Sequence, residues 1–167
     1  QVSSIATDAI GGLTSRHLQA MGTRGVAALT TSQIQAFSAS QLNALGRAQV
    51  GTLSSGQLNA LTSDQFNGLH ASQVSAIGVA QLAAMDTGQL AQLSGTQMQA
   101  LTTAQVAGLT SGQVSSLATD QIASLKAAQI KAIEAVDLRA LLTNQLQAFS
   151  RTQMAALTYA QVAALQT

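Results

Sequence analysis

Glutamine recurs at every eighth residue through most of this chain, and this period is the strongest constraint on its fold. The glutamines in register are Gln33, Gln41, Gln49, Gln57, Gln65, Gln73, Gln81, Gln89, Gln97, Gln105, Gln113, Gln121, Gln129, Gln145, Gln153 and Gln161. Self-similarity at a fixed period is typical of repeat architectures, in which a small unit is copied and stacked. Numbering eight slots from each glutamine divides the 167 residues into a single tandem array, 1-167, of twenty-one octads without separate domains.

Two apolar columns accompany the glutamines. Slot two and slot five are apolar in all twenty-one octads, slot four is small except at Gln92, and slot six is most often Thr or Ser. The consensus is Gln-φ-x-Ala-Leu-Thr-x-x, where φ is aliphatic. Slot one departs from glutamine at Ala9, His17 and Gly25 near the start and at Asp137 near the end. Two apolar columns without one insertion indicate that the octad is a structural unit.

Neither one long helix nor a β-solenoid explains this period. At about 100° per residue, eight helical residues turn by roughly 800°, so the apolar columns would drift by about 80° per octad. No single partner could cover such a stripe. Half-buried strands alternate with period two, whereas the apolar slots here are three and five residues apart. Alanine, which is abundant in the chain, is also depleted in strands.

The slots do fit the start of a helix. Thr or Ser in slot six stands three residues before glutamine, which is the spacing of a capping box. In that motif the hydroxyl accepts from the N3 amide, and the glutamine side chain accepts from the N-cap amide. The apolar residues in slots five and two then occupy the two positions of a hydrophobic staple. Leu101, Thr102, Gln105 and Val106 show both devices in one stretch.

We therefore predict an all-α solenoid of very short capped helices, one per octad, stacked into an elongated rod. Helices of one or two turns are unstable alone in water and need neighbours. A coil of three or four octads would hold roughly 24 to 32 residues, which is usual for solenoids. Small residues in slot four would let backbones approach closely. Neutral glutamines avoid the repulsion of stacked glutamates, and their amides can hydrogen-bond one another between coils.

The sequence predicts no catalytic residue, no cofactor site and no metal site. His17 and His70 lack a cysteine or carboxylate cluster at ligand spacing, so a surface position is expected for both. The abundant Ser and Thr residues have no poised base beside them. The methionines fall in the apolar columns and are predicted core residues: Met21, Met85, Met98 and Met154. We expect the chain not to be an enzyme.

Charge is sparse and concentrated near the end of the array. Residues 125–142 contain Lys126, Lys131, Glu134, Asp137 and Arg139. Helical spacing would let Glu134 meet Lys131 or Arg139 on a solvated face, and the alternative is a docking patch for a partner. The net charge of +1 gives no electrostatic footprint for nucleic acid or anionic lipid. The sequence contains no run of eighteen consecutive apolar residues, so no membrane insertion is predicted. The absence of cysteine excludes disulfides.

The octad run, for example Gln97-Met98-Gln99-Ala100-Leu101-Thr102-Thr103-Ala104, resembles arrays found in very large bacterial secreted or surface proteins. That resemblance covers the whole chain and implies an extended, extracellular, non-enzymatic segment at the bacterial cell surface. The predicted function is a rod, stalk or filament component. The alternative is an adhesin-like module whose repetitive Thr, Ser and Gln surface binds carbohydrate or ice.

The apolar pattern continues to both ends of the array, with Val2 and Ile5 at one end and Val162 and Leu165 at the other. Terminal repeats of a solenoid usually carry a polar cap. We therefore expect either end-to-end self-association of copies or continuation into a longer repeat chain. Head-to-tail contacts between copies would generate a filament when the rotation does not close.

Overall fold

The computed structural model describes residues 5–165, so the predictions for Gln1 and Val2 lie outside the described residues. The regular structure of these residues consists of short α-helices of four to six residues, and no strand is found among them. The helices are α1 (Thr7–Ile10), α2 (Ser15–Ala20), α3 (Gly22–Ala27), α4 (Thr31–Gln35), α5 (Ala39–Asn43), α6 (Arg47–Val50), α7 (Ser55–Asn59), α8 (Ser63–Asn67), α9 (Ala71–Val74), α10 (Val79–Ala83), α11 (Thr87–Leu90), α12 (Gly95–Ala100), α13 (Thr103–Ala107), α14 (Ser111–Ser116), α15 (Thr119–Ser124), α16 (Ala127–Ala132), α17 (Ala135–Leu138), α18 (Thr143–Gln147), α19 (Arg151–Ala155) and α20 (Tyr159–Ala164). The all-α fold class is confirmed.

Slot six is the corner at which one helix ends and the next begins. Thr102, the N-cap of α13, is extended with φ −72° and ψ 158°, whereas Thr103–Ala107 is helical. The Thr102 hydroxyl accepts from the backbone amide of Gln105 at 3.1 Å. This bond satisfies one of the amides that a helix N-terminus leaves without an intrahelical partner. The predicted hydroxyl cap therefore forms, and it sets the bend that recurs with every octad.

Most helices pack against the helix three places further along the chain. Such pairs run through the described residues, from α1 with α4 and α3 with α6 to α14 with α17 and α17 with α20. The N-terminal half of a helix in the next coil lies at the end of one earlier helix, and its C-terminal half lies at the start of the following one. Helix α8 illustrates this, because Gln65 within it donates to the carbonyl of Gln35 at the end of α4, while Gly68 directly after it lies beside Ala39 at the start of α5.

This staggering gives a coil of about three and a half octads. Hydrogen bonds between successive coils join residues that are 25 to 31 positions apart, as in Asn59 with Ala84 and Gln105 with Val74. The middle of that range, 28 residues, is half an octad more than three units. The coil thus falls between the two predicted sizes. Because of the extra half octad, each helix overlaps parts of two helices in the adjacent coil.

The apolar columns of slots two and five form one continuous core. Slot-two side chains such as Ile34, Phe66 and Val114 are fully buried, and slot-five side chains such as Leu61 and Leu117 are 3% exposed. Met98 and Met85 belong to this core as predicted. The prediction for Met154 is wrong, because its side chain is 49% exposed. Met154 lies in the last coil of the described residues, and within residues 5–165 no later coil covers its slot-two column.

Slot four is small at Gly68 and Gly108 because slot-seven side chains of the preceding coil lie against it. A Cβ added at Gly68 would stand 3.0 Å from the Cβ of Ala39, and one added at Gly108 would clash with Val79. Both neighbours occupy slot seven of an octad 29 residues earlier. The predicted close approach is confirmed, and slot seven therefore packs beside slot four of the next coil rather than beside another slot seven.

Candidate functional site

The side-chain amide of each interior glutamine connects two coils. In Gln105, Oε1 accepts from the backbone N–H of Thr102 at 2.7 Å, which completes the capping box. Its Nε2 donates to the carbonyl oxygens of Val74 at 3.1 Å and Ile77 at 2.7 Å, in the preceding coil. The side chain is only 2% exposed. One amide therefore starts a helix and also binds the carbonyls at the end of an earlier helix.

The same bonds recur along the array, and we call this series the glutamine ladder. Its slot-one members are the sixteen glutamines from Gln33 to Gln161 that were predicted from the period. Nε2 of fifteen of them donates to the slot-five carbonyl 28 residues earlier, for example Gln33 to Ile5 at 2.7 Å, Gln129 to Leu101 at 2.8 Å and Gln161 to Ile133 at 2.7 Å. Gln49 donates instead to the carbonyls of Leu18 at 2.8 Å and Gly22 at 3.4 Å. The ladder thus extends through the described chain with a break at Asp137.

The acceptors of the ladder differ from those predicted. From Gln41 onward the amides donate to backbone carbonyls of the preceding coil instead of to one another, as with Gln41 and the carbonyl of Leu13 at 2.9 Å. The expectation of amide-to-amide bonds was therefore wrong. The reason is the half-octad stagger, which places each glutamine over a helix end, where carbonyls lack intrahelical partners, rather than over another glutamine.

Only glutamine provides both halves of this connection. Glutamate could accept from the N-cap amide, but its carboxylate has no N–H to donate to the two carbonyls. It would also bring an uncompensated charge into a buried site lined with oxygen atoms, which is costly. The preference for Gln over Glu follows from the donor more than from repulsion between stacked residues.

The glutamine half of the capping box persists where the hydroxyl half is missing. Slot six holds Gly46, His70 and Leu142 in three octads, yet their backbone amides still donate to the glutamine Oε1 at 2.9, 2.8 and 2.6 Å. The hydroxyl is thus replaceable, whereas glutamine is retained. The glutamine side-chain amide bonds the N-cap N–H and two carbonyls of the preceding coil, as in Gln105. The slot-six hydroxyl bonds only one backbone N–H, as in Thr102.

One octad changes its N-cap partner without losing the ladder. The amide of Asp86 donates to Oδ1 of Asn59 in the preceding coil at 3.1 Å, and Nδ2 of Asn59 donates to the carbonyl of Ala84 at 3.2 Å. Gln89 keeps its bond to the Leu61 carbonyl at 2.5 Å. Sequence reasoning missed Asn59, because slot three is variable and its contact depends on the stagger between coils.

Asp137 interrupts the ladder. It is 7% exposed and accepts from the hydroxyl of Ser111, 26 residues earlier. Its carboxylate is one methylene shorter than glutamine and has no N–H, so it cannot bind the carbonyls of Val106 and Leu109 as Gln105 and Gln113 bind theirs. The prediction of an exposed charged face fails for Asp137 and holds for Lys126, Lys131, Glu134 and Arg139, which are exposed.

The predicted contact of Glu134 with Lys131 or Arg139 does not form within residues 5–165. Glu134 is the N-cap of α17, with φ −64° and ψ 146°, so it stands at a corner rather than within a helix. Lys131 belongs to the preceding helix, α16, and Arg139 follows the end of α17. The bend at slot six removes the helical spacing on which that prediction depended.

The slot-one exceptions near the start make no side-chain hydrogen bond to another coil within residues 5–165. Ala9 and Gly25 have no polar side chain, and Nδ1 of the exposed His17 accepts from the amide of Thr14 at 3.3 Å. His17 thus replaces the capping half of glutamine and nothing more. Gly22, which has φ +62°, lets α3 begin directly after α2 without a capped corner. His70 is exposed, as predicted.

The described surface carries shallow depressions rather than a deep site. One is lined by Ala127, Ala128, Lys131, Ala155 and Thr158, and no group of three or more His, Cys, Asp or Glu side chains within residues 5–165 could hold a metal ion. No helix in the same range has both the length and the apolar character required to cross a membrane. The ordered, recurrent feature of the molecule is the ladder itself.

Fold and ladder together define a tandem-repeat protein of the α-solenoid class. Within this class, a family model of the ALTTAQ repeat matches residues 20–55, 74–111, 96–127 and 130–167. These matches cover more than half of the chain, which therefore belongs to the ALTTAQ repeat family. The octapeptide resemblance is confirmed. No curated protein matches the chain.

Proposed function

We propose that the chain is a non-enzymatic structural segment, a rod or stalk that sets a distance at the bacterial cell surface. The observation that carries this proposal is the glutamine ladder, in which amide-to-carbonyl bonds connect successive coils, with an interruption at Asp137. A solenoid of this kind contacts only neighbouring coils, so adding octads adds length without altering the existing coils. The buried polar side chains of the array are thereby explained as structural parts.

The stagger between coils supports a spacer over a flat binding array. A surface that binds ice or a regular glycan needs equivalent side chains in register along the stack. Here slot seven packs beside slot four of the next coil, as Ala39 does with Gly68, so equivalent hydroxyls do not form a column. The exposed slots are mostly small and uncharged, which suits a segment that spans a distance without binding what surrounds it.

Lengthening the array by whole coils tests the spacer role. A copy of residues 73–128 holds seven octads, which equal two coils, and can be inserted after residue 128 in register. Helices pack at about 8–10 Å, so two coils should extend the molecule by roughly 16–20 Å. Small-angle X-ray scattering would measure the maximum dimension. A 56-residue Gly/Ser insert is the control and should give a flexible joint. An unchanged maximum dimension with the octad insert would contradict the proposal.

The surface location needs a separate test in cells. Intact cells that produce the full protein would be treated with a protease that cannot enter them, and the array would be followed with an antibody. Loss of the antibody signal before lysis supports an extracellular segment. Cleavage only after lysis would place the array inside the cell and would leave the spacer proposal to be judged by the scattering experiment.

A further inference from the structure

Equivalent slots of the octad return to the same side of the stack only in every second coil. One coil holds 28 residues, as in the bond from Gln105 to Ile77, so the slots of adjacent coils are offset by half an octad. Two coils therefore hold 56 residues, which are seven whole octads. Residues 56 positions apart occupy the same slot on the same side, and an exposed residue type that recurs at this spacing forms a column along the stack.

Aspartate forms such a column. Slot eight holds aspartate in three octads that are 56 residues apart: Asp8, Asp64 and Asp120. All three side chains are exposed and stand in the first turn of α1, α8 and α15. A carboxylate in the first helical turn would be equally favourable in any octad, so helix stability does not explain why the three share one side. We call them the acidic column.

A basic column stands six to eight residues further round the same coils. Its members are Arg16, His70 and Lys126, which are exposed. His70 and Lys126 are 56 residues apart and occupy slot six, where they replace the hydroxyl that caps many of the other corners. Arg16 and Lys126 also bring positive charge to helix N-termini, where it is unfavourable. Local helix stability therefore opposes this column rather than explaining it.

The two columns flank one side of the solenoid. In α8 and its following corner, Asp64 stands at the start of that side and His70 at its end, with the small or polar residues Asn67 and Gly68 between them. Within residues 5–165 no side chain of either column makes an ion pair inside the chain. Among the described residues of this side, Arg151 is the only other charged one. Opposite charges are thus exposed in parallel columns without partners in the same molecule.

We infer that this side is a surface for lateral association with a second copy of the chain, parallel and in register. A two-fold axis along the stack places the acidic column of each copy against the basic column of the other, because this rotation exchanges the columns without changing their height. Three pairs form, each twice: Asp8 with Arg16, Asp64 with His70, and Asp120 with Lys126. Neutral or protonated, His70 has an N–H that can donate to a carboxylate. Antiparallel copies would instead face acid with acid.

The size of the side also fits a second copy. It is roughly 12–15 Å wide from Asp64 to His70, and the described coils, at about 8–10 Å each, make it roughly 50 Å long. That gives roughly 600–750 Å² per copy, close to the ~800 Å² per partner of a standard interface. Exposed ion pairs contribute little each, so the charges select partner and register more than they supply affinity. The two Arg151 side chains would lie near the axis, a like-charge contact that weakens the dimer.

Sedimentation equilibrium of the full chain tests the association. We expect a dimer that weakens with added salt. Asp120→Lys should weaken it at least tenfold, because Lys126 of the second copy would then face a like charge. The double variant Asp120→Lys with Lys126→Asp exchanges both members of the pair and should restore the dimer. Glu134→Lys is the matched control: it makes the same change in charge at an exposed position half a coil away, on the opposite side, and should leave the dimer unchanged.

A spin label reports the orientation, because the chain has no native cysteine. Thr152→Cys carries the label at an exposed position midway between the columns. In pulsed EPR, parallel copies should place the two labels within roughly 20 Å, whereas antiparallel or end-to-end copies would separate them by roughly 40 Å or more. A chain that stays monomeric at all concentrations would overturn the inference, and so would the longer distance. Equal weakening by Asp120→Lys and Glu134→Lys, or a double variant that does not restore the dimer, would overturn it as well. The inference goes beyond the spacer role and holds wherever the protein is located.

Discussion

The leading coil, residues 5–32, and the trailing coil, residues 138–165, are built from the same octad and differ in two ways. The leading coil covers its slot-two column completely but has lost glutamine from slot one at Ala9, His17 and Gly25. The trailing coil keeps Gln145, Gln153 and Gln161, each bonded to the preceding coil, but leaves Met154 and Val162 exposed. Gln145, Gln153 and Gln161 thus bond to a preceding coil, whereas the side chains at positions 9, 17 and 25 make no such bond within the described residues.

This difference shows that the octad has a direction. Its glutamine reaches back to the preceding coil, whereas its slot-two side chain faces forward to the next one. A coil therefore contributes donors on one side and apolar surface with acceptors on the other. The expectation of end-to-end self-association remains a prediction, and the direction of the octad limits which coils can meet.

The largest expected effect comes from removing the donor in an interior coil. Gln105→Glu keeps an acceptor for Thr102 but places a buried carboxylate against the carbonyls of Val74 and Ile77. We expect a loss of about 3–5 kcal/mol in the free energy of unfolding, measured by urea denaturation with circular dichroism. Lowering the pH protonates the new carboxyl, and its O–H can then donate to a carbonyl in place of the lost amide N–H. Part of the stability should therefore return at low pH.

The matched change in the leading coil is His17→Glu. A carboxylate there can accept from the Thr14 amide at a helix N-terminus and faces no preceding carbonyl within the described residues. The free energy of unfolding should change by less than about 0.5 kcal/mol. Equal losses at positions 17 and 105 would show that the capping half, and not the bond between coils, makes glutamine important.

Two methionines in slot two compare a covered coil with the open one. Met98 is fully buried, so Met98→Ala should cost about 2–4 kcal/mol through lost apolar burial and a residual cavity. Met154 is 49% exposed, and Met154→Ala should cost less than about 1 kcal/mol. The same denaturation measurement checks both. A large loss at position 154 would mean that the exposed slot-two side chains of the trailing coil are covered in solution.

Asp137 allows the ladder to be repaired. Asp137→Gln should restore the bonds to the carbonyls of Val106 and Leu109 and raise the free energy of unfolding by about 1–2 kcal/mol. Asp137→Asn is the control, because its amide is neutral but too short to reach. A greater gain with Asn than with Gln would indicate that the charge, and not the missing reach, weakens this octad. Hydrogen exchange at Ser111 and its neighbours would locate the effect.

The smallest expected effects test the close approach in slot four. Gly108→Ala adds a methyl group against Val79, whereas Gly112→Ala in slot eight meets nothing closer than 4.0 Å. Alanine raises helix stability by about 0.5–1 kcal/mol, so Gly112→Ala should stabilise the protein by that amount. Gly108→Ala should be neutral or destabilising, because Val79 must move. Equal gains in thermal stability at both positions would contradict the tight contact.

Local features were predicted well because they depend on residues within one octad. The Thr102 cap, the slot-two and slot-five core and the small slot four follow from spacings of three to five residues. The pairing of Glu134 with Lys131 was wrong because a helix bend intervenes, and the burial of Asp137 was missed because it depends on a residue 26 positions away. The exposure of Met154 could not be predicted either, because slot two is apolar in every octad and the sequence does not show which coil is left uncovered.

The sequence by itself determined the period, the helix starts and the two apolar columns, because capping and amphipathic spacing act over a few consecutive residues. Only the tertiary structure decided how many octads make a coil and what the glutamine amide binds. Both depend on how helices of adjacent coils pack against one another. Because the coils are staggered by half an octad, each glutamine amide lies over a helix end and not over another glutamine. The direction of the stack follows from that stagger.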